Sequence, residues 1–140
     1  MPERLRTIVN SLRRFVGERR RAPRHAVRLR VTVSLAEQAG HAPRSVSGHT
    51  CDLSATGLGL VLPAIRIGER YLTGEGRRIA VALELPARAV TFHATPVRYE
   101  RLDADESGGA AGYLVGAQIT DMADEDRAHF DEYLRGLRNG

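Results

Sequence analysis

From Val27 onward the chain alternates between apolar and polar residues. Val27, Leu29, Val31, Val33 and Leu35 are apolar and Arg28, Arg30, Thr32 and Ser34 between them are polar, which is the period of a strand with one wet face. Gly40 to Pro43 reads as a turn. Ser45–Asp52 and Gly57–Leu62 read as two further strands around a tight connection at Ser54–Gly57, and Pro63–Gly76 as a loop-rich passage. Ile79, Val81, Leu83 and Leu85 alternate again up to Pro86. Val90–Glu100 is another strand, with Pro96 marking an edge or a bulge. After the polar stretch Asp103–Gly109, Tyr113, Val115, Ala117 and Ile119 form the last alternating run.

The two ends follow a different period. Leu5, Ile8, Val9, Leu12, Phe15 and Val16 recur at spacings of three and four, one apolar stripe of a helix that Gly17 can stop. That stripe suits packing on the domain or on a second copy. At the other end Asp124, Glu125 and Asp126 crowd a first turn and Arg135 and Arg138 a last one, matching the helix dipole, while Phe130, Leu134 and Leu137 give one apolar face. Short strands at regular intervals between two helices predict a mainly β domain, an antiparallel barrel or sandwich with the helices over its open end or edge.

With 140 residues, 42% of them apolar, the chain is the size of one domain with a real core. Aromatics are only 5% and Trp is absent, so Val, Leu, Ile and Ala must build that core. No apolar run approaches the ~20 residues of a membrane helix. Arg4, Arg6, Arg13 and Arg14 interrupt what a secretory signal would need. A single cysteine, Cys51, makes neither an internal disulfide nor a thiolate zinc site and fits a reducing cytosol. All 21 basic residues are Arg. Ten of them lie in residues 1–30 against Glu3 and Glu18, whereas residues 100–132 hold ten acids against Arg101 and Arg127. Such a chain either packs tail on head or offers a basic segment to an anion.

Two short segments carry candidate chemistry. Glu18-Arg19-Arg20-Arg21-Ala22-Pro23-Arg24 precedes the first strand, and Pro23 makes it an extended linker rather than a helix. Its guanidinium forks match phosphate oxygens and the O6/N7 edge of guanine. Asp52-Leu53-Ser54-Ala55-Thr56-Gly57 joins two strands. There Asp52 can accept from guanine N1–H and N2–H, Ser54 offers a hydroxyl, and Gly57 permits a positive φ at the turn. The same residues could instead tie down their own turn. Rival chemistries are thinner. His49 and Cys51 invite a Cys–His nucleophile but imply no third orienting group. His25, His41, His49, His93 and His129 lack metal-ligand spacing, and Gly74-x-Gly76 is too short for a phosphate loop. Nucleic acid as primary partner is disfavoured by the few aromatics and the lack of a reading helix.

The pair Arg20-x-x-x-Arg24 and Asp52-x-Ser54-x-x-Gly57, in that order and some thirty residues apart, resembles the two motifs of the PilZ domain family. The resemblance covers roughly residues 18–138. It implies a six-stranded antiparallel Greek-key β-barrel over 27–121 after an arginine linker over 18–26; the helical periods add a C-terminal helix over 123–138 and, outside the common core, an N-terminal helix over 1–17. It implies a bacterial, cytoplasmic, non-enzymatic receptor for cyclic di-GMP that needs no cofactor or metal. Arg20 and Arg24 would clamp phosphate and a guanine edge, and Arg19 and Arg21 would add phosphate contacts. Asp52 and Ser54 would hold guanine, with Gly57 keeping the loop close. Gly116 would be the small residue near the ligand, and Arg98 or Tyr99 the late side chain that stacks on a base. The signal would pass by ordering the N-terminal segment and altering contacts with an effector protein in motility, biofilm or polysaccharide control, from a monomer or homodimer. Family members with broken motifs are ligand-independent adaptors. Both motifs are intact here.

Overall fold

A strand that buries every second residue needs a partner surface for that face, and six such strands can supply it to one another by closing into a ring. The computed structural model describes residues 22–35, 45–67, 70–71, 77–103 and 112–139. The helix expected over 1–17, together with Arg19, Arg20 and Arg21, lies outside the described residues. The elements are β1 (His25–Ala26), β2 (Arg30–Leu35), β3 (Ser45–Leu53), β4 (Gly57–Leu62), β5 (Arg66–Ile67), β6 (Arg70–Tyr71), β7 (Ile79–Glu84), β8 (Ala89–Leu102), β9 (Gly112–Asp121) and α1 (Asp124–Asn139). Neighbours run β3-β2-β7-β8-β9-β4, and β4 pairs back onto β3, so six antiparallel strands close a barrel. The meander β7-β8-β9 ends against β4, which is the Greek-key step. In the passage read as loop, β5 and β6 pair only with each other.

The inward face is assembled row by row. Val31, Val33 and Leu35 stand opposite Leu83, Val81 and Ile79, which in turn face Val90, Phe92 and Ala94. On the other wall Leu58 and Leu60 oppose Ala117 and Val115. All of these are buried in one core, and α1 adds Phe130 and Leu134 to it. The Phe130 ring lies 6.1 Å from that of Phe92, tilted by 47°. Arg88, at the β7–β8 turn, holds the first turn of α1 through Glu125 at 3.2 Å and Asp126 at 3.3 Å. The helix is therefore fixed both by its apolar face and by its acidic end.

Two strands approach too closely for side chains at one point. A Cβ on Gly48 would fall on the carbonyl oxygen of Val61, with Leu62 Cδ2 at 2.8 Å. A backbone oxygen cannot give way without moving β4. Gly48→Ala is therefore expected to destabilise the fold by about 1–3 kcal/mol, the usual cost of overpacking. Urea unfolding should read this as a lower midpoint at unchanged slope.

The expectation of one strand running from Val27 to Leu35 needs correction, as does a linker lasting to residue 26. His25 and Ala26 already pair with Leu53 and Asp52, and regular pairing resumes only at Arg30 opposite His49. The break has its extra residue in the segment itself, since three residues, Val27, Arg28 and Leu29, face only Thr50 and Cys51 of β3. Thr50 bridges it: its hydroxyl donates to Val27 O at 2.6 Å and accepts from Leu29 N at 2.9 Å. A buried hydroxyl thus replaces the missing rung of the ladder.

Candidate functional site

A change of register brings the second motif to the outer face of the barrel. Thr50 pairs with Leu60 and Asp52 with Gly59, leaving Cys51 as the bulged residue of β3. Without that extra residue Asp52 would oppose Leu58, whose side chain belongs to the core. β8 repeats the device after Pro96, the position read as an edge or bulge. Pro96 pairs with Ala117 and Arg98 with Gly116, so Val97 is the extra residue there. Gly59 in turn pairs with Gly116. The two bulges therefore align Asp52, Gly59, Gly116 and Arg98 in one row across four neighbouring strands, β3, β4, β9 and β8. Three strand spacings put its ends ~14 Å apart. The middle of the row carries no side chains, so a planar group can lie against backbone there.

The turn between β3 and β4 is held from within and from outside. Ser54 is fully buried, and its hydroxyl accepts from Gly57 N at 3.1 Å and Thr56 N at 3.4 Å while donating to Gly57 O at 3.2 Å. These bonds express the turn-holding reading of Ser54. Gly57 is already the first residue of β4, opposite Gln118. From outside, Ile119 N donates to Thr56 O at 2.9 Å and Arg127 Nη1, on α1, donates to Ala55 O at 2.8 Å.

The described part of the first motif meets the second here. Because β1 lies on β3, Arg24 sits just ahead of the residues paired with Asp52, and its Nη1 is 3.4 Å from Asp52 Oδ2. Both side chains are withdrawn from water, Arg24 being 6% and Asp52 0% exposed. Among the described residues, none of the three guanidinium nitrogens of Arg24 has a hydrogen bond of good geometry. Buried N–H donors are rarely left so, because each costs about 1–3 kcal/mol. A cavity of about 250 Å³ opens beside the turn, between Pro23 and His25 on one side and Ala55, Leu134, Arg135 and Arg138 on the other. Tyr99, the alternative stacking side chain, is half-exposed on β8 next to Arg98.

Several participants left little trace in the sequence. Thr50 is an ordinary strand residue by composition, and Arg127 is an ordinary helix arginine. Gly59 had a usable signal: a glycine inside a strand pattern, two residues after Gly57, marks a close backbone approach.

The Cys–His alternative finds no support in the geometry. Burial first, and the neighbouring Asp52 charge second, push the Cys51 thiol up to about 12, while burial holds His49 below its usual value. A thiol so protonated is a poor nucleophile. Cys51 is expected to stay unreactive toward a disulfide reagent in the native protein at neutral pH and to react fully once urea unfolds it. Absorbance of the released thiolate measures both. Among the described residues there is no group of three side chains able to hold a metal, and no helix long and apolar enough to cross a membrane.

Solved structures share this architecture. The PilZ domain of YcgR from Escherichia coli, solved with c-di-GMP, superposes with a TM-score of 0.61 at 15% identity, over 86% of this chain and 92% of that one. The MrkH–c-di-GMP complex from K. pneumonia gives 0.61 at 16% identity, over 85% and 51%. The Bacillus subtilis inhibitor of motility MotI/DgrA gives 0.60 at 19% identity, over 86% and 52%. The chain thus spans about half the length of the last two. At these identities the likeness is one of fold. No curated protein matches the sequence. The family model for the PilZ domain matches residues 18–136, nearly the whole chain. A closed six-stranded barrel with a C-terminal helix, the register that joins Arg24 to Asp52, and that match together place the chain in the PilZ domain family.

Proposed function

We propose that this PilZ domain, over residues 18–138, is a non-enzymatic receptor for cyclic di-GMP. Its signal passes through the N-terminal segment and through contacts with an effector protein. The observation that carries this reading is the buried approach of Arg24 to Asp52. A guanidinium with donors to spare and a carboxylate side by side are the two groups that a phosphorylated guanine requires. Arg24, with Arg20 and the adjoining Arg19 and Arg21, would take the phosphates and a guanine edge. Asp52 would accept from guanine N1–H and N2–H. Ser54 and Gly57 would set the backbone of the turn, Gly59 and Gly116 would leave room for the base plane, and Arg98 would close the row at its far end. The presence of c-di-GMP in the YcgR and MrkH structures supports the same ligand.

The magnitudes agree. Charge-assisted hydrogen bonds are worth roughly 1.5–3 kcal/mol each. Four or five together supply roughly 6–15 kcal/mol, a range that spans the ~8 kcal/mol of a micromolar complex, and fixing the arginine segment at ~1–2 kcal/mol per residue offsets part of it.

Base selectivity is the test. Calorimetric titration with cyclic di-GMP should give saturable binding at micromolar concentrations or below. Cyclic di-AMP offers an acceptor where guanine offers N1–H, and should bind at least about a hundredfold more weakly. Equal affinity for both would remove Asp52 from base recognition. Uptake of neither would favour a ligand-independent adaptor.

A further inference from the structure

The turn at Ser54–Gly57 is braced by an element that neither motif includes. Arg127 lies on the first turns of α1, yet its Nη1 donates to Ala55 O at 2.8 Å, 72 residues away in sequence. The same side chain is fixed from its own helix. Asp131, one turn on, lies 3.5 Å from Nη1, and the guanidinium carbon stands 5.6 Å over the ring of Phe130. Phe130 is fully buried and packs on Phe92 of β8, so this end of α1 is seated in the barrel core. A planar guanidinium held at several points is a rigid strut, since little side-chain freedom remains to be lost when it bonds. From the barrel side, Ile119 N on Thr56 O holds the same turn.

We propose that Arg127 is a positioning residue for the nucleotide-binding turn and that it makes α1 an energetically coupled output of that site. The proposal rests on the receptor reading given above. Asp52 and the turn share one short segment, so a nucleotide that fixes the turn also fixes Ala55 O, the acceptor on which Arg127 bears. Ordering the acceptor favours the seated position of α1. By linkage, whatever displaces α1 must weaken nucleotide binding by the same factor. An effector that grips α1 would thus sense occupancy without touching the nucleotide.

Hydrogen exchange and calorimetry on the whole chain test this. Arg127→Ala should speed exchange at the Ser54 and Ile119 amides by about tenfold through local opening, with the β2 and β7 amides unchanged. It should weaken cyclic di-GMP binding by about three- to tenfold, the worth of one hydrogen bond. Arg127→Lys, which keeps a donor, should restore most of both, and serves if the alanine variant folds poorly. In the wild type, saturating cyclic di-GMP should slow exchange across Asp124–Phe130, and Arg127→Ala should abolish that protection, which a merely structural residue would not do. Unchanged loop exchange and affinity in Arg127→Ala would overturn the positioning role. Identical α1 exchange with and without bound nucleotide would overturn the coupling. If the wild type takes up no cyclic di-GMP, the receptor reading fails and the coupling falls with it. Loop exchange in the nucleotide-free protein still decides the strut.

Discussion

Arg24→Ala is expected to reduce cyclic di-GMP affinity by at least about a hundredfold, because two charge-assisted hydrogen bonds at roughly 1.5–3 kcal/mol each disappear. The substitution also strikes the fold. Removing one member of a buried ion pair is destabilising by about 3–5 kcal/mol, and the partner here is a carboxylate with no exposure. Lost binding in this variant alone would therefore be ambiguous. The joint replacement Arg24→Met with Asp52→Leu separates the two effects. Apolar residues of similar volume in place of a buried pair are close to neutral for stability, and some such replacements raise it. The double variant should unfold within about 1 kcal/mol of the wild type and yet give no calorimetric signal with cyclic di-GMP. Retained affinity in a folded double variant would take the recognition site away from this pair.

Phe130→Ala is expected to lower stability by about 3–5 kcal/mol. Phe130 is fully buried, joins α1 to the barrel core and packs at a tilt against Phe92. Other α1 side chains cannot collapse into the space, since Leu134 is already committed to the same core. Against a typical total of 5–15 kcal/mol this is a large fraction. Thermal unfolding followed by circular dichroism should show Tm lowered by roughly 10–20 °C. A fall of only a degree or two would mean that α1 contributes little to the packed core.

The fold was legible where the sequence alternates along its strands. Val31 to Leu35, Ile79 to Leu83 and Tyr113 to Ile119 announce themselves by period, and the acidic start and basic end of α1 match its dipole. The motif residues Asp52, Ser54 and Gly57 were legible as types at a spacing, which says nothing of which face they occupy. That depends on the bulges at Cys51 and Val97, and a bulge is a count between two strands rather than a property of either. Pro96 marks one of them, whereas nothing local marks the other. The same count explains why Val27 and Leu29, apolar and in phase, do not continue β2. Three residues, Val27 to Leu29, stand against two of β3, which interrupts the ladder there, and Thr50 takes over. Arg127 was invisible because its acceptor, Ala55 O, belongs to a segment that only the closed barrel brings near. The arginines at 19, 20 and 21 stand ready in sequence next to Pro23, and their part in the site rests on the proposed function.

The most direct measurement is a two-dimensional amide spectrum of the labelled protein titrated with cyclic di-GMP. The receptor reading predicts shifts concentrated at Arg24 to Ala26, Asp52 to Gly59, Arg98 and Gly116, with β2 and β7 on the far wall of the barrel left in place. A titration that moves no amide at saturating nucleotide, or that moves β2 and β7 while leaving Arg24 and Asp52 untouched, would contradict it.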